Sequence, residues 1–159
     1  LTIASNLSDV ANAATAFGNI KQAATTSATG VTELAVDSEV RAATTGNLAV
    51  TPSLIESASA LVALSDAATV AVDWDTGINF SLTVTANRII GNPTNGQPGT
   101  WRTILVQGND GTDRTITFDT QYLGEVPTIT DCDSAKWYVL MIFCITMTHF
   151  VVSSKVAKT

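Results

Sequence analysis

The residues that could do chemistry are few. His149, between Thr148 and Phe150, is the single histidine. A nucleophilic hydroxyl needs a base beside it, so His149 could serve a Ser/His pair or could be a turn or interface residue; its place between two strand-like runs favours the latter. Three aspartate pairs, Asp73/Asp75, Asp110/Asp113 and Asp131/Asp133, have a spacing that could hydrolyse a glycoside or hold a hard cation. All three fall where strands should end, and there Asp is an ordinary turn former. Their spacing is not that of an EF-hand loop. Cys132 and Cys144 fit no zinc pattern, and reduced thiols are expected of them. No catalytic residue, metal or cofactor is assigned.

Aromatic side chains offer binding instead. Trp74, Trp101, Trp137 and Tyr122 could stack on a sugar. Trp74 belongs to an alternating run and Trp137 opens the most apolar run, which makes both core candidates. Trp101 follows the loop Asn92-Pro93-Thr94-Asn95-Gly96-Gln97-Pro98-Gly99, and Tyr122 lies in an irregular stretch. Recognition groups concentrate on loops held by a rigid scaffold. The candidate ligand-binding residues are therefore Asn92, Thr94, Asn95, Gln97, Trp101, Asn109, Asp110, Asp113 and Tyr122.

The elements that must position these groups differ between the two halves. Residues 1–67 are rich in Ala, Ser and Thr and hold one aromatic, Phe17; the other aromatics all come later. A segment so poor in large apolar groups cannot build a core alone. Its local signals are helical. Ser8 and Asp9 start one piece that Gly18 ends, and Asp37 or Ser38 caps a second through Val40 and Ala43. Thr51-Pro52 starts a third that places Leu54, Ile55, Ala58, Leu61 and Val62 on one face. Residues 30–35 read as extended.

Residues 68–159 read as β. Val70, Val72 and Trp74 alternate with Thr69, Ala71 and Asp73; Phe80, Leu82 and Val84 alternate with polar neighbours. Further strands are expected over 102–107, 114–118, 128–130, 137–147 and 150–156. Asn109-Asp110-Gly111 signals a hairpin. The run 139–145 shows no clean alternation, so it is central in a sandwich or lies at a subunit interface. The expected fold is mainly β: an antiparallel, jelly-roll-like sandwich over 68–159, preceded by an elongated, partly helical segment over 1–67.

Composition excludes several classes. Of 159 residues only 14% are charged, the net charge is −6, and Lys and Arg are scattered singly. Nucleic-acid binding needs a basic patch, and none exists. The longest apolar run is half the roughly 18 residues of a membrane-spanning helix, so no membrane insertion is expected. The chain begins at Leu1, and a C-terminal piece of a longer product is expected.

Two stretches resemble bacteriophage tail-fibre proteins. Asn6-Leu7-Ser8-Asp9-Val10-Ala11-Asn12-Ala13-Ala14-Thr15-Ala16 is similar to a segment common in these fibres, with departures at Phe17-Gly18 and Ile20. Gly30, Glu33, Leu34, Ala35, Glu39, Val40, Val50, Thr51, Pro52 and Leu54 match positions of a second fibre motif, with Thr44-Thr45-Gly46-Asn47 replacing its usual turn. The resemblance covers about the first third of the chain. It implies a homotrimeric virion fibre, assembled in the host cytoplasm, with other virion proteins on its N-terminal side and a host glycan or protein at its head. Leu34, Val40, Leu54, Ile55, Leu61, Leu140 and Ile142 are the candidate trimer contacts. A capsid fibre, a virion adaptor without a receptor role and a fragment of a capsular depolymerase are the alternatives.

Overall fold

The computed structural model describes residues 15, 32–43, 46 and 48–158. The first fibre-like stretch, with the helix expected to start at Ser8, lies almost wholly outside them. Among the described residues two short helices precede the strands. Helix α1 spans Asp37–Ala42; Val36 holds the N-cap position, where the Glu39 carboxylate accepts from the Val36 N–H at 2.9 Å. It stops at Ala43, which takes a left-handed φ of 51°. Helix α2 spans Pro52–Ala58 behind Thr51, as the Thr-Pro pair predicts. It ends earlier than expected. Leu61 and Val62 leave the helical face and enter a strand, because their backbones find partners in Asn79 and Phe80.

Nine strands follow: β1 Leu61–Ala63, β2 Thr69–Val70, β3 Asn79–Val84, β4 Arg88–Ile90, β5 Trp101–Gly108, β6 Arg114–Phe118, β7 Ile129–Cys132, β8 Lys136–Thr146 and β9 His149–Lys158. They form a five-stranded sheet, β1-β3-β5-β8-β9, and a four-stranded sheet, β2-β4-β6-β7. The chain is mainly β, as expected, but the sheets are mixed and not antiparallel. Strands β1 to β6 alternate between the sheets, so β1, β3 and β5 run parallel, as do β2, β4 and β6. Only β7, β8 and β9 add antiparallel pairs.

This winding explains two misread signals. Asn109-Asp110-Gly111 does not close a hairpin. It turns a corner from β5 in one sheet to β6 in the other, since β5 is already paired on both sides by β3 and β8. Leu61 and Val62, expected on a helix face, instead belong to β1, which joins the five-stranded sheet by pairing with β3. Successive windings differ in length: Leu61 pairs with Asn79, and Asn79 with Thr103. No fixed period reaches the sequence.

The core lies between the sheets. Val70, Val72, Trp74, Phe80, Leu82, Val84, Ile90, Ile104, Ile116 and Ile129 are buried there. The alternation that predicted inward Val70, Val72 and Trp74 holds, although β2 itself is only two residues long. In β8 the pattern is also strict. Tyr138, Leu140, Ile142 and Cys144 point inward, while Trp137, Val139, Met141 and Phe143 are half-buried on the other face. Both faces are apolar, which hides the alternation from a hydropathy reading.

Candidate functional site

The winding sends its corners to two opposite ends of the sheets. Residues 64–68, 85–87, 109–113 and 133–135 form one end. Residues 71–78, 91–100, 119–128 and 147–148 form the other. The sequence candidates therefore divide. Asn92, Thr94, Asn95, Gln97, Trp101 and Tyr122 belong to the second end, and Asn109, Asp110 and Asp113 to the first. The eight residues of β5 separate them, roughly 25 Å of strand. They do not form one recognition surface.

At the first end the acidic residues are internally engaged. Lys136 Nζ donates to Asp131 at 2.8 Å, with Asp133 at 3.6 Å and Asp113 at 3.9 Å. Tyr138 also donates its hydroxyl proton to Asp131. Asp110 accepts from the Thr112 N–H at 2.8 Å and pairs with Arg114 at 3.2 Å. The loop is fastened by Ser134 N–H to the Asp110 carbonyl at 2.7 Å. Lys136 above all holds the Asp131 carboxyl below its ordinary range, and Thr112 does the same for Asp110. A glycosidase general acid needs the opposite shift. Among the described residues no three His, Cys, Asp or Glu side chains converge as metal ligands.

The second end carries the remaining candidates. Asn95, at a left-handed φ of 57°, donates from Nδ2 to Asp73 at 2.8 Å. Thr94 is exposed, with its backbone bonded to Val72 and Trp74. The exposed Gln97 accepts both the Thr100 N–H and hydroxyl on its carbonyl. Asn92 is half-buried and structural: its side-chain Oδ1 accepts from the Gln121 N–H at 2.9 Å. Tyr122 is a correction. It is 5% exposed, donates its hydroxyl proton to the Gly91 carbonyl and packs its ring near Phe118 and Phe150. Burial pushes its pKa well up. The irregular backbone around it hides a core residue. His149 opens β9, with Nδ1 near the hydroxyls of Thr146 and Thr148 at 2.8 and 3.1 Å.

Trp101 stands apart. It is 57% exposed, and its ring lies 4.7 Å from that of its cross-strand partner Phe143. Val151 of β9 continues the row. Trp74, the core tryptophan, is fully buried between Phe150 and the guanidinium of Arg102, which lies 4.9 Å from its ring centre. Trp137 departs from the core reading, because it faces outward from β8.

The trimer candidates also divide. Leu34, Ile55 and Leu61 are more than half exposed, and Val40 and Leu54 are half-buried along shallow grooves beside the helices. Leu140 and Ile142 are fully buried in the chain's own core and cannot touch a neighbour. No sequence signal separates them from the outward Val139 and Met141. Cys132 and Cys144 are both buried free thiols.

The geometry defines a class of architecture: two facing mixed sheets, wound in parallel and closed by an antiparallel hairpin. No protein family matches the chain, and no curated protein or solved structure does either. Among the described residues no helix is long and apolar enough to cross a membrane.

Proposed function

We propose that the chain is a structural, non-enzymatic segment of a bacteriophage fibre, assembled as a homotrimer and mediating attachment to a host-surface glycan or protein. The observation that carries this reading is the state of the fibre-like motif. Among its described residues Leu34, Val36 and Val50 are about half exposed or more, and Ile55 follows them. Scattered apolar side chains on a surface are ordinary, but a motif that displays several together has a partner surface to meet. Other copies of the same chain are the partners that the resemblance implies. The engagement of every candidate carboxylate at the charged end favours adhesion over hydrolysis.

Attachment then works by avidity. Identical heads held on one fibre let weak contacts add up. The end formed by residues 91–100 is the better contact surface, since Thr94, Asn95 and Gln97 are exposed there, whereas the carboxylates of the other end are engaged in ion pairs. Competition with virion adsorption tests this. Purified chain is expected to protect host cells in a dose-dependent way, and Gln97→Ala is expected to weaken protection about ten-fold or more. Undiminished adsorption at saturating protein would remove the attachment role.

A further inference from the structure

The two sheets have outer faces of opposite character. On the four-stranded sheet the outward row is Thr69, Ile89 and Thr117, with Thr115 and Thr130 beside it. That is a surface made for water. On the five-stranded sheet the rows across β3, β5, β8 and β9 are Asn79–Thr103–Met141–Ser153, Ser81–Leu105–Val139–Lys155 and Thr83–Gln107–Trp137–Ala157, with Trp101–Phe143–Val151 beyond the start of β3. Eight of these fifteen positions are apolar and three are aromatic, all eight on β5, β8 and β9. Both faces belong to one chain and one architecture, so the difference is not a requirement of folding.

We infer that the outer face of the five-stranded sheet is covered by neighbouring copies of this same chain. The inference rests on the homotrimer reading and names the surface it uses. Three observations select a second copy as the occupant. The first is charge. The chain carries −6 overall, so copies repel one another wherever carboxylates meet. This face has no carboxylate, and its one charged group, Lys155, lies on the edge strand. The second is composition. Trp, Phe and Met mark the centre of protein interfaces, from which charge is depleted; here they sit together on β5 and β8, with the polar Asn79, Ser81 and Thr83 set to one side on β3. The third is size. Five strands at ~4.8 Å spacing and ~3.3 Å per residue project roughly 500 Å². With protruding Trp and Met side chains the accessible area approaches the ~800 Å² per partner of a stable interface. Leu61, 56% exposed at the β1 edge, extends this face toward the exposed apolar residues of the fibre-like motif.

Sedimentation of the whole chain tests the proposal. Wild type is expected to be an oligomer. Met141→Glu, between the uncharged Thr103 and Ser153, is expected to weaken assembly roughly a hundred-fold or more, with the circular dichroism of the fold retained. Thr117→Glu, on the other outer face, is expected to leave assembly unchanged. A folded Met141→Glu that stays fully assembled overturns the placement alone, and the homotrimer reading survives it. A monomeric wild type at tens of micromolar overturns both. If Met141→Glu does not fold, acrylamide quenching of assembled wild type decides. Trp101 and Trp137 are expected to be shielded along with Trp74, and free quenching of two of the three tryptophans overturns the proposal.

Discussion

The carboxylate of Asp66 binds both Nε and Nη2 of Arg88, the second at 2.9 Å, and so ties the β1–β2 corner to the start of β4. Thr85 adds its hydroxyl at 2.6 Å and its N–H at 3.1 Å to the same carboxylate. One winding of the chain is thereby fastened to the next. The Arg88 guanidinium, more than any other group, holds the Asp66 carboxyl well below the ordinary range. Both side chains are largely covered, with 14% and 20% of their surfaces exposed.

Asp66→Asn is expected to destabilise the fold by about 1–2 kcal/mol at neutral pH, measured by urea denaturation. The sign of the pH dependence follows from the depressed folded pKa. The contribution is present above the unfolded value of about 3.9 and is lost as pH falls through the folded value. The gap between wild type and variant should stay constant from pH 7 to 5 and shrink below about pH 4. A gap that grew on acidification would exclude this assignment.

Gly108 closes β5 where the chain turns toward β6. A Cβ there would lie 2.8 Å from the Asp133 Cα and 2.9 Å from the Cys132 carbonyl oxygen. These are backbone atoms and cannot swing aside. Gly108→Ala is expected to cost about 1–3 kcal/mol and to loosen the loop that Asp110 fastens to Ser134. Faster amide exchange at Ser134 would report that loosening, and unchanged exchange would argue against it.

Leu140 and Met141 are neighbours with opposite duties. Leu140→Ala is expected to cost about 2–5 kcal/mol of stability as a core cavity, and Leu140→Asp to prevent folding. Charge at Met141 should spare the fold. Thermal melting of the three variants separates these outcomes; a Leu140→Asp protein that melted like wild type would displace Leu140 from the core.

The thiols of Cys132 and Cys144 are buried and unpaired. Burial, helped by the carboxylates of Asp133 and Asp131, pushes the Cys132 thiol up to about 11, and burial also raises Cys144. A disulfide-exchange reagent at pH 8 should react with neither in the native protein and with both in denaturant. Rapid native reaction would show that the core opens at these positions.

Much of the fold was legible locally. Period-two alternation marks the inward faces of Phe80, Leu82 and Val84 and of Val70, Val72 and Trp74, because successive side chains of a strand point to opposite sides. The Thr51-Pro52 pair marks the start of α2 by the rigid φ of proline. Strands β1 and β4 were not legible. Three residues carry too little pattern, and Leu61–Ala63 also suits the end of a helix. The site was legible only in part: Trp101 is exposed as its loop context implies, whereas Tyr122 is not.

The sequence by itself determined that the chain is mainly β, that its cysteines fit no zinc pattern, and that its Lys and Arg residues are scattered singly along the chain. These follow from residue type, spacing and short-range period. Tertiary structure alone decided that β1 to β6 wind in parallel between two sheets, that the two candidate loops lie at opposite ends, and that Leu140 faces in while Met141 faces out. The reason is physical. Strand pairing is made by backbone groups that every residue shares, so the choice of partner depends on the whole set of connections. A strand apolar on both faces carries no sign of which face its own chain will cover.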